Sequence, residues 1–177
     1  MKCEKCSKKA AIDINYLPKL CKVCFCRLIE KRIRKFTRIN QVFKRNDKVI
    51  TVGDVCNYFV KSIAKDLPMA VKNVKTMPKP RKGFKILAPW TLDDENNQFL
   101  EFLFLNKKPQ KQSFIKLLLP VTDQETALFA KIKKLNFKPN KKNPAITNFI
   151  EKLQEKYPEV KFSLLKSLAE HKRILES

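Results

Sequence analysis

Apolar residues recur at three- and four-residue steps over residues 24–40. Phe25, Leu28, Ile29, Ile33, Phe36 and Ile39 make one stripe, and that spacing predicts a helix. Arg27, Lys31, Arg34, Lys35 and Arg38 fall on its remaining faces, with Arg32 near the boundary. The run 48–52 (Lys-Val-Ile-Thr-Val) is rich in β-branched residues and reads as a strand ending at Gly53. Asp54 is expected to cap a following helix whose apolar positions are Val55, Tyr58, Phe59, Ile63 and Leu67. A second strand is read over 84–88. Thr91 then caps a helix running to Asn106, with Asp93, Asp94 and Glu95 in its first turn, where negative charge suits the helix dipole. Residues 113–119 predict a third strand. Thr122 with Glu125 is a capping box that opens a helix carrying Ala127, Leu128, Phe129, Ile132 and Leu135. Two closing helices follow over 145–157 and 161–175, parted by Pro158, while 77–83 and 136–144 read as basic, proline-marked loops. At the start of the chain, Ile12, Ile14 and Tyr16 alternate with polar residues, a short strand signal. Strands alternating with helices predict an α/β fold: a small parallel sheet with flanking helices, behind an N-terminal head.

That head carries Cys3-x2-Cys6 and, after fourteen further residues, Cys21-x2-Cys24. Two such knuckles place four thiolates tetrahedrally around one Zn²⁺. Four ligands close the coordination sphere, so the ion is structural and supplies folding energy to a segment too small to fold by burial alone. The expected organisation is a zinc ribbon over 1–26, a basic linking helix over 27–47 and an α/β domain over 48–177. Cys26, two residues past Cys24, is a competing ligand by position, and Cys56 is expected in the core of its helix.

Charge sharpens the picture. The 177 residues hold 39 Lys and Arg against 17 Asp and Glu, a formal net charge of +22. Residues 1–50 hold fifteen of the cations and four of the acids, so half the excess sits beside the cysteine knuckles. Such an excess suits a polyanion, most directly RNA or DNA. Arg27, Lys31, Arg34, Lys35 and Arg38 are the expected phosphate-tracking face; Lys141 and Lys142, with Lys79, Arg81 and Lys82, form a second basic patch. A cationic surface that only solvates the protein is the simpler reading, but it does not account for the clustering.

Other chemistries are disfavoured. Gly53 and Gly83 are the chain's two glycines, so no glycine-rich phosphate cradle can be written. The single histidine, His171, has no nucleophile or companion ligand near it in sequence. No apolar run reaches the ~18–20 residues of a membrane helix, and the first residues carry no signal-peptide core. With its cysteines read as metal ligands, the chain is expected in a reducing, cytoplasmic compartment.

Several stretches together resemble the PP-loop tRNA thiolation proteins, the archaeal tRNA 2-thiouridine synthetases and the eukaryotic cytosolic thiouridylase pair. Met1-Lys2-Cys3-Glu4-Lys5-Cys6 and Leu20-Cys21-Lys22-Val23-Cys24-Phe25 are similar to that family's N-terminal zinc ribbon. Leu92-Asp93-Asp94-Glu95 is similar to its helix-opening acidic segment. The stretch from Leu119-Pro120-Val121-Thr122 through Ala130, and the tail from Phe149 to Ser167, are similar to its later helices. The departures lie where the family does chemistry. Its Ser-Gly-Gly-Lys-Asp-Ser loop, which grips the pyrophosphate of ATP, corresponds here to Val52-Gly53-Asp54-Val55-Cys56-Asn57. Its cysteine before proline in the late loop corresponds to Asn143-Pro144. The segment before Leu92 is shorter than the family's, and the second zinc ribbon is missing. The resemblance therefore implies a reduced PP-loop-like domain whose Gly53, Asp93 and Asp94 are remnants of a nucleotide site. It implies a non-catalytic tRNA-binding accessory in uridine 2-thiolation, beside a catalytic PP-loop paralogue, and carries over Cys3, Cys6, Cys21 and Cys24 as zinc ligands. Two other readings stay open: a zinc-ribbon module serving ribosomal or other RNA, and a thiolation enzyme completed by a partner.

Overall fold

The computed structural model describes the backbone of residues 1–108 and 112–176, with side chains through residue 170; His171 lies outside those side chains. Its elements, in order, are α1 (Lys22–Ile39), β1 (Lys48–Val52), α2 (Gly53–Ile63), β2 (Ala70–Val74), β3 (Phe84–Thr91), α3 (Leu92–Leu105), β4 (Ile115–Leu118), α4 (Asp123–Lys133), α5 (Pro144–Lys156) and α6 (Val160–Glu176).

The four strands form one parallel sheet in the order β2-β1-β3-β4. The chain moves outward from β1 through α2 to β2, then returns past β1 to reach β3. A right-handed crossover carries α2 over one face of the sheet. The packing agrees. Val49 and Leu87 face α2, α1 and α4 in the main core, whereas Ile50, Val52 and Ile86 face the other way with Val74, Phe84 and Phe114. A third cluster, Phe99, Leu100, Ile146, Ile150 and Leu168, joins α3 to α5 and α6.

The central strands and most helices form where the hydrophobic pattern puts them. β1 matches its expected span, and both Thr91 and Thr122 open helices through capping boxes. Three expectations change. β2 carries little apolar signal because it is an exposed edge strand with one neighbour, so Val71 and Val74 suffice. The alternation at Ile12 and Ile14 is real in burial, yet the backbone makes only isolated bridges, Ile12 with Leu20 and Lys2 with Lys9, because the head offers no strand long enough to pair. Asp54 does not cap α2. The cap position is Val52, and the Asp54 carboxylate accepts hydrogen bonds from the Asn136 backbone and side-chain amides. Gly53 sits between β1 and α2 at φ +79°, a left-handed turn that favours glycine.

Helix α1 binds the head to the sheet domain. Phe25, Ile29 and Ile33 are fully buried in the same core as Ile12, Ile14 and Leu20 on one side and Val55, Phe59 and Phe129 on the other. Phe59 stacks on Phe129 at 5.0 Å, locking α2 to α4. Polar contacts follow the same path. Tyr58 donates to Glu30 at 2.7 Å, and Lys133 pairs with that carboxylate at 3.0 Å. Arg32 reaches Glu125 at 2.7 Å, while the other oxygen of Glu125 accepts from the Thr122 amide in the α4 cap. Ile39 departs from the predicted stripe: it is 63% exposed, because the last turn of α1 overhangs the core.

The buried Glu125 carboxylate depends on Arg32, the cation within reach. Burial raises its pKa and Arg32 opposes the rise. Replacing Arg32 by Met strands a buried charge and is expected to cost about 3 kcal/mol at neutral pH, a melting shift of about 6–12 °C. An acid whose folded pKa is raised favours the folded state at low pH and loses that contribution as pH rises through the folded value. The Arg32→Met penalty should therefore shrink as pH falls and Glu125 takes up a proton. A penalty that stays constant across acid and neutral melts would show that Glu125 does not need its partner.

Candidate metal centre and nucleic-acid interface

The first knuckle is a tight turn. The Cys3 amide donates to the Lys8 carbonyl at 2.7 Å, and the Ser7 amide donates to the Cys3 carbonyl at 2.9 Å, with Ser7 itself at φ +58°. The second knuckle is the start of α1: Cys21 is its N-cap and Cys24 lies in its first turn. The Cys24 amide donates to Cys21 Sγ at 3.4 Å, and this bond holds the Cys21 thiol below its usual pKa, towards the thiolate a metal requires.

The four Sγ atoms of Cys3, Cys6, Cys21 and Cys24 all lie within 4.8 Å of one another, and Cys6 and Cys21 approach to 3.5 Å. Four sulfurs bonded at ~2.3 Å to one tetrahedral ion stand roughly 3.8 Å apart. The residues therefore fit a single metal ion. A multi-iron cluster would interpose several atoms and spread the thiolates further. When bound, such an ion would fasten the first knuckle to the N-terminus of α1. Cys26 is not part of the group; it is buried on the core side of α1, and Cys56 is fully buried in α2. Burial pushes both thiols upward, away from reactivity.

From this centre α1 runs outward with two unlike sides. Arg27, Lys31, Arg34, Lys35 and Arg38 are all exposed, and among the described residues none of them forms a salt bridge. Their steps of four, three, one and three residues keep them on one face over about 16 Å of helix. Arg32, at the edge, is drawn inward by Glu125.

The second basic patch divides. Lys141 is exposed and lines a separate cavity with Lys107 and Lys108, while Lys79, Arg81 and Lys82 are exposed on the segment between β2 and β3. Lys142 is different. Its side chain is 12% exposed and reaches Asp94 and Asp123 at 2.6 Å each, so it is withdrawn from the cationic surface. These carboxylates raise its pKa against the effect of burial.

The acidic cluster has structural partners. Asp93 pairs with Lys161 of α6 at 2.6 Å and accepts from the Asp123 amide. Asp94 is the capping-box residue of α3 and also holds Lys142. Glu95 pairs with Lys116 of β4 and accepts from the Trp90 indole. Asp93 and Asp94 are held in these contacts and do not line the cavity beside Gly53. Gly53 instead lines a cavity of about 530 Å³ with Asp54, Lys75, Pro89, Phe137 and Lys138. This cavity lies outside the carboxyl ends of β1 and β3, at the switch point of the sheet. Sequence reading put Lys138 in a basic loop but could not aim it at this cavity, and it missed Lys75, because only the fold brings these two loops together.

No family model and no curated protein matches the chain. Among solved structures it is similar to the U34-tRNA thiolase NcsA from Methanococcus maripaludis, solved with its [4Fe-4S] cluster. The TM-score is 0.70 at 18% identity, over 99% of this chain and 87% of that one. At this identity the likeness establishes a shared fold, in agreement with the architecture expected from the motifs.

Serine at Cys3, Cys6, Cys21 or Cys24 is expected to abolish stoichiometric metal in the purified chain, whereas Cys26→Ser should retain it. Elemental analysis of the five variants checks this, and metal loss on replacing Cys26 alone would redraw the site.

Proposed function

We propose that the protein is a tRNA-binding, non-catalytic accessory of uridine 2-thiolation, working in the cytoplasm beside a catalytic PP-loop paralogue. Its head holds a structural Zn²⁺ on Cys3, Cys6, Cys21 and Cys24. The observation that carries the reading is the face of α1. Five exposed cations, none in a salt bridge among the described residues, start at the cysteine centre and lie along one side of a helix whose other side is anchored in the core, with Arg34 acting electrostatically on an acid, Glu30. A row of exposed cations along one helix face matches a phosphate backbone, and each phosphate contact releases counterion. The fold shared with a U34-tRNA thiolase makes tRNA the favoured polyanion.

The non-catalytic part of the reading rests on the switch-point cavity. Gly53 and Asp54 stand at the head of α2 with no glycine-rich loop around them, and Asp54 is bonded to Asn136. The cysteines outside the four-thiol group, Cys26 and Cys56, are buried and do not line that cavity. A sulfur carrier needs a reachable thiolate, and this chain offers none there.

Four measurements test this. In a deletion strain, 2-thiouridine in bulk tRNA should fall while other tRNA modifications persist; unchanged thiolation rejects the role. In vitro, Arg34→Glu with Lys35→Glu should flatten the slope of log affinity against log salt by about 1.5. An unaltered slope removes α1 from the binding face. The purified chain should carry zinc rather than iron, and should not bind ATP; clear ATP binding would favour an enzyme completed by a partner.

A further inference from the structure

Beyond the row of cations, α1 borders a cavity that the sequence does not announce. It has a volume of about 510 Å³ and lies between the last turns of α1, the first turns of α6 and the β4–α4 turn at Pro120. Arg32, Lys35, Phe36 and Ile39 line it from α1, at the i, i+3, i+4 and i+7 positions of one helix face. Phe162, Leu165 and Lys166 face them from α6, and Tyr16 reaches in from the head.

Three properties set this cavity apart from an ordinary crevice. Its walls are aromatic: Tyr16 and Phe162 meet edge to face at 5.5 Å, and the Arg32 guanidinium stands 5.6 Å from the Phe162 ring centre. Its rim is cationic, with Lys35 and Lys166 exposed on opposite sides and Glu159 the one acid among the lining residues. It is also continuous with the phosphate-tracking face, because Lys35 belongs to both.

We infer that this cavity receives an unpaired nucleobase of the RNA whose backbone follows α1. Aromatic and guanidinium planes stack on any base, and lysines at the mouth meet the phosphates on either side of it. The volume is within the range of small-ligand sites, large enough for a planar base with its sugar. An apolar protein segment would fill the walls equally well but would find no match for the exposed Lys35 and Lys166. Charge complementarity therefore selects RNA. This inference rests on the proposed RNA-binding role and deepens it: the protein grips looped or splayed strands in preference to regular duplex.

The test uses the full chain, a hairpin RNA with an unpaired loop, and a blunt duplex of equal phosphate number. The hairpin should bind about tenfold tighter than the duplex. Phe36→Leu keeps an apolar side chain but loses the ring, and should remove about tenfold from hairpin affinity while leaving the salt slope unchanged. A melting curve confirms that the variant folds. Independently of any variant, a loop carrying 5-iodouridine should cross-link to Tyr16, Phe36 or Phe162. Equal affinity for hairpin and duplex, or cross-links confined to other residues, overturns the base-binding cavity but leaves phosphate binding by α1 intact. Loss of all RNA binding overturns the functional reading itself. Loss of a co-purifying protein in Phe36→Leu, with hairpin affinity preserved, assigns the cavity to a protein segment instead.

Discussion

Helix α1 must satisfy two environments at once, and the rest of the molecule is arranged around that constraint. One side supplies Phe25, Ile29 and Ile33 to a core shared by the head and the sheet. The other presents five cations to solvent within three turns, a concentration of like charge that opposes helix formation by several small repulsions. A free helix of this composition would be weak. Here tertiary burial and the cysteine centre at its N-terminus hold it in place, so the cations are displayed on a scaffold that does not have to be ordered by the ligand.

The same logic explains where the acids went. Asp93, Asp94, Glu95, Asp123 and Glu125 are largely withdrawn from solvent into contacts that join α1, β4, α6 and the loop before α5. Each works as an internal tie between elements distant in sequence. The consequence for the surface is electrostatic. Acids consumed inside cannot neutralise cations outside, and the exposed face of α1 keeps its charge. Lys142 and Arg32 are the counterpart: cations spent on those internal ties and so lost to the surface.

The switch point of a parallel α/β sheet is where ligands generally bind, and this chain retains the crevice there. Gly53 keeps the sharp turn from β1 into α2, and Lys75 and Lys138 approach from two loops. The sharp turn at the carboxyl end of β1 is present here without a glycine-rich loop beside it. Fold and chemistry separate cleanly at this point, which is why likeness to a thiolase by itself carries the architecture and not the reaction.

Much of the architecture was legible in the residues alone. Helical periodicity located α1, the cap residues Thr91 and Thr122 located the starts of α3 and α4, and the cysteine spacing located the centre, because these signals are local and each reflects one element's own hydrogen bonds or ligands. The edge strand β2 was silent, since a strand with one neighbour needs few apolar residues. The true partner of Asp54 was also hidden, since Asn136 lies far away in the chain. Sequence alone determined that a basic helix follows a four-cysteine head. Only the tertiary structure decided which cations remain free, because that depends on which acids the folded chain brings within reach. It alone also gathered Tyr16, Phe36 and Phe162 around one cavity, since residues so far apart in the chain meet only where the fold sets α1 and α6 on opposite sides of it.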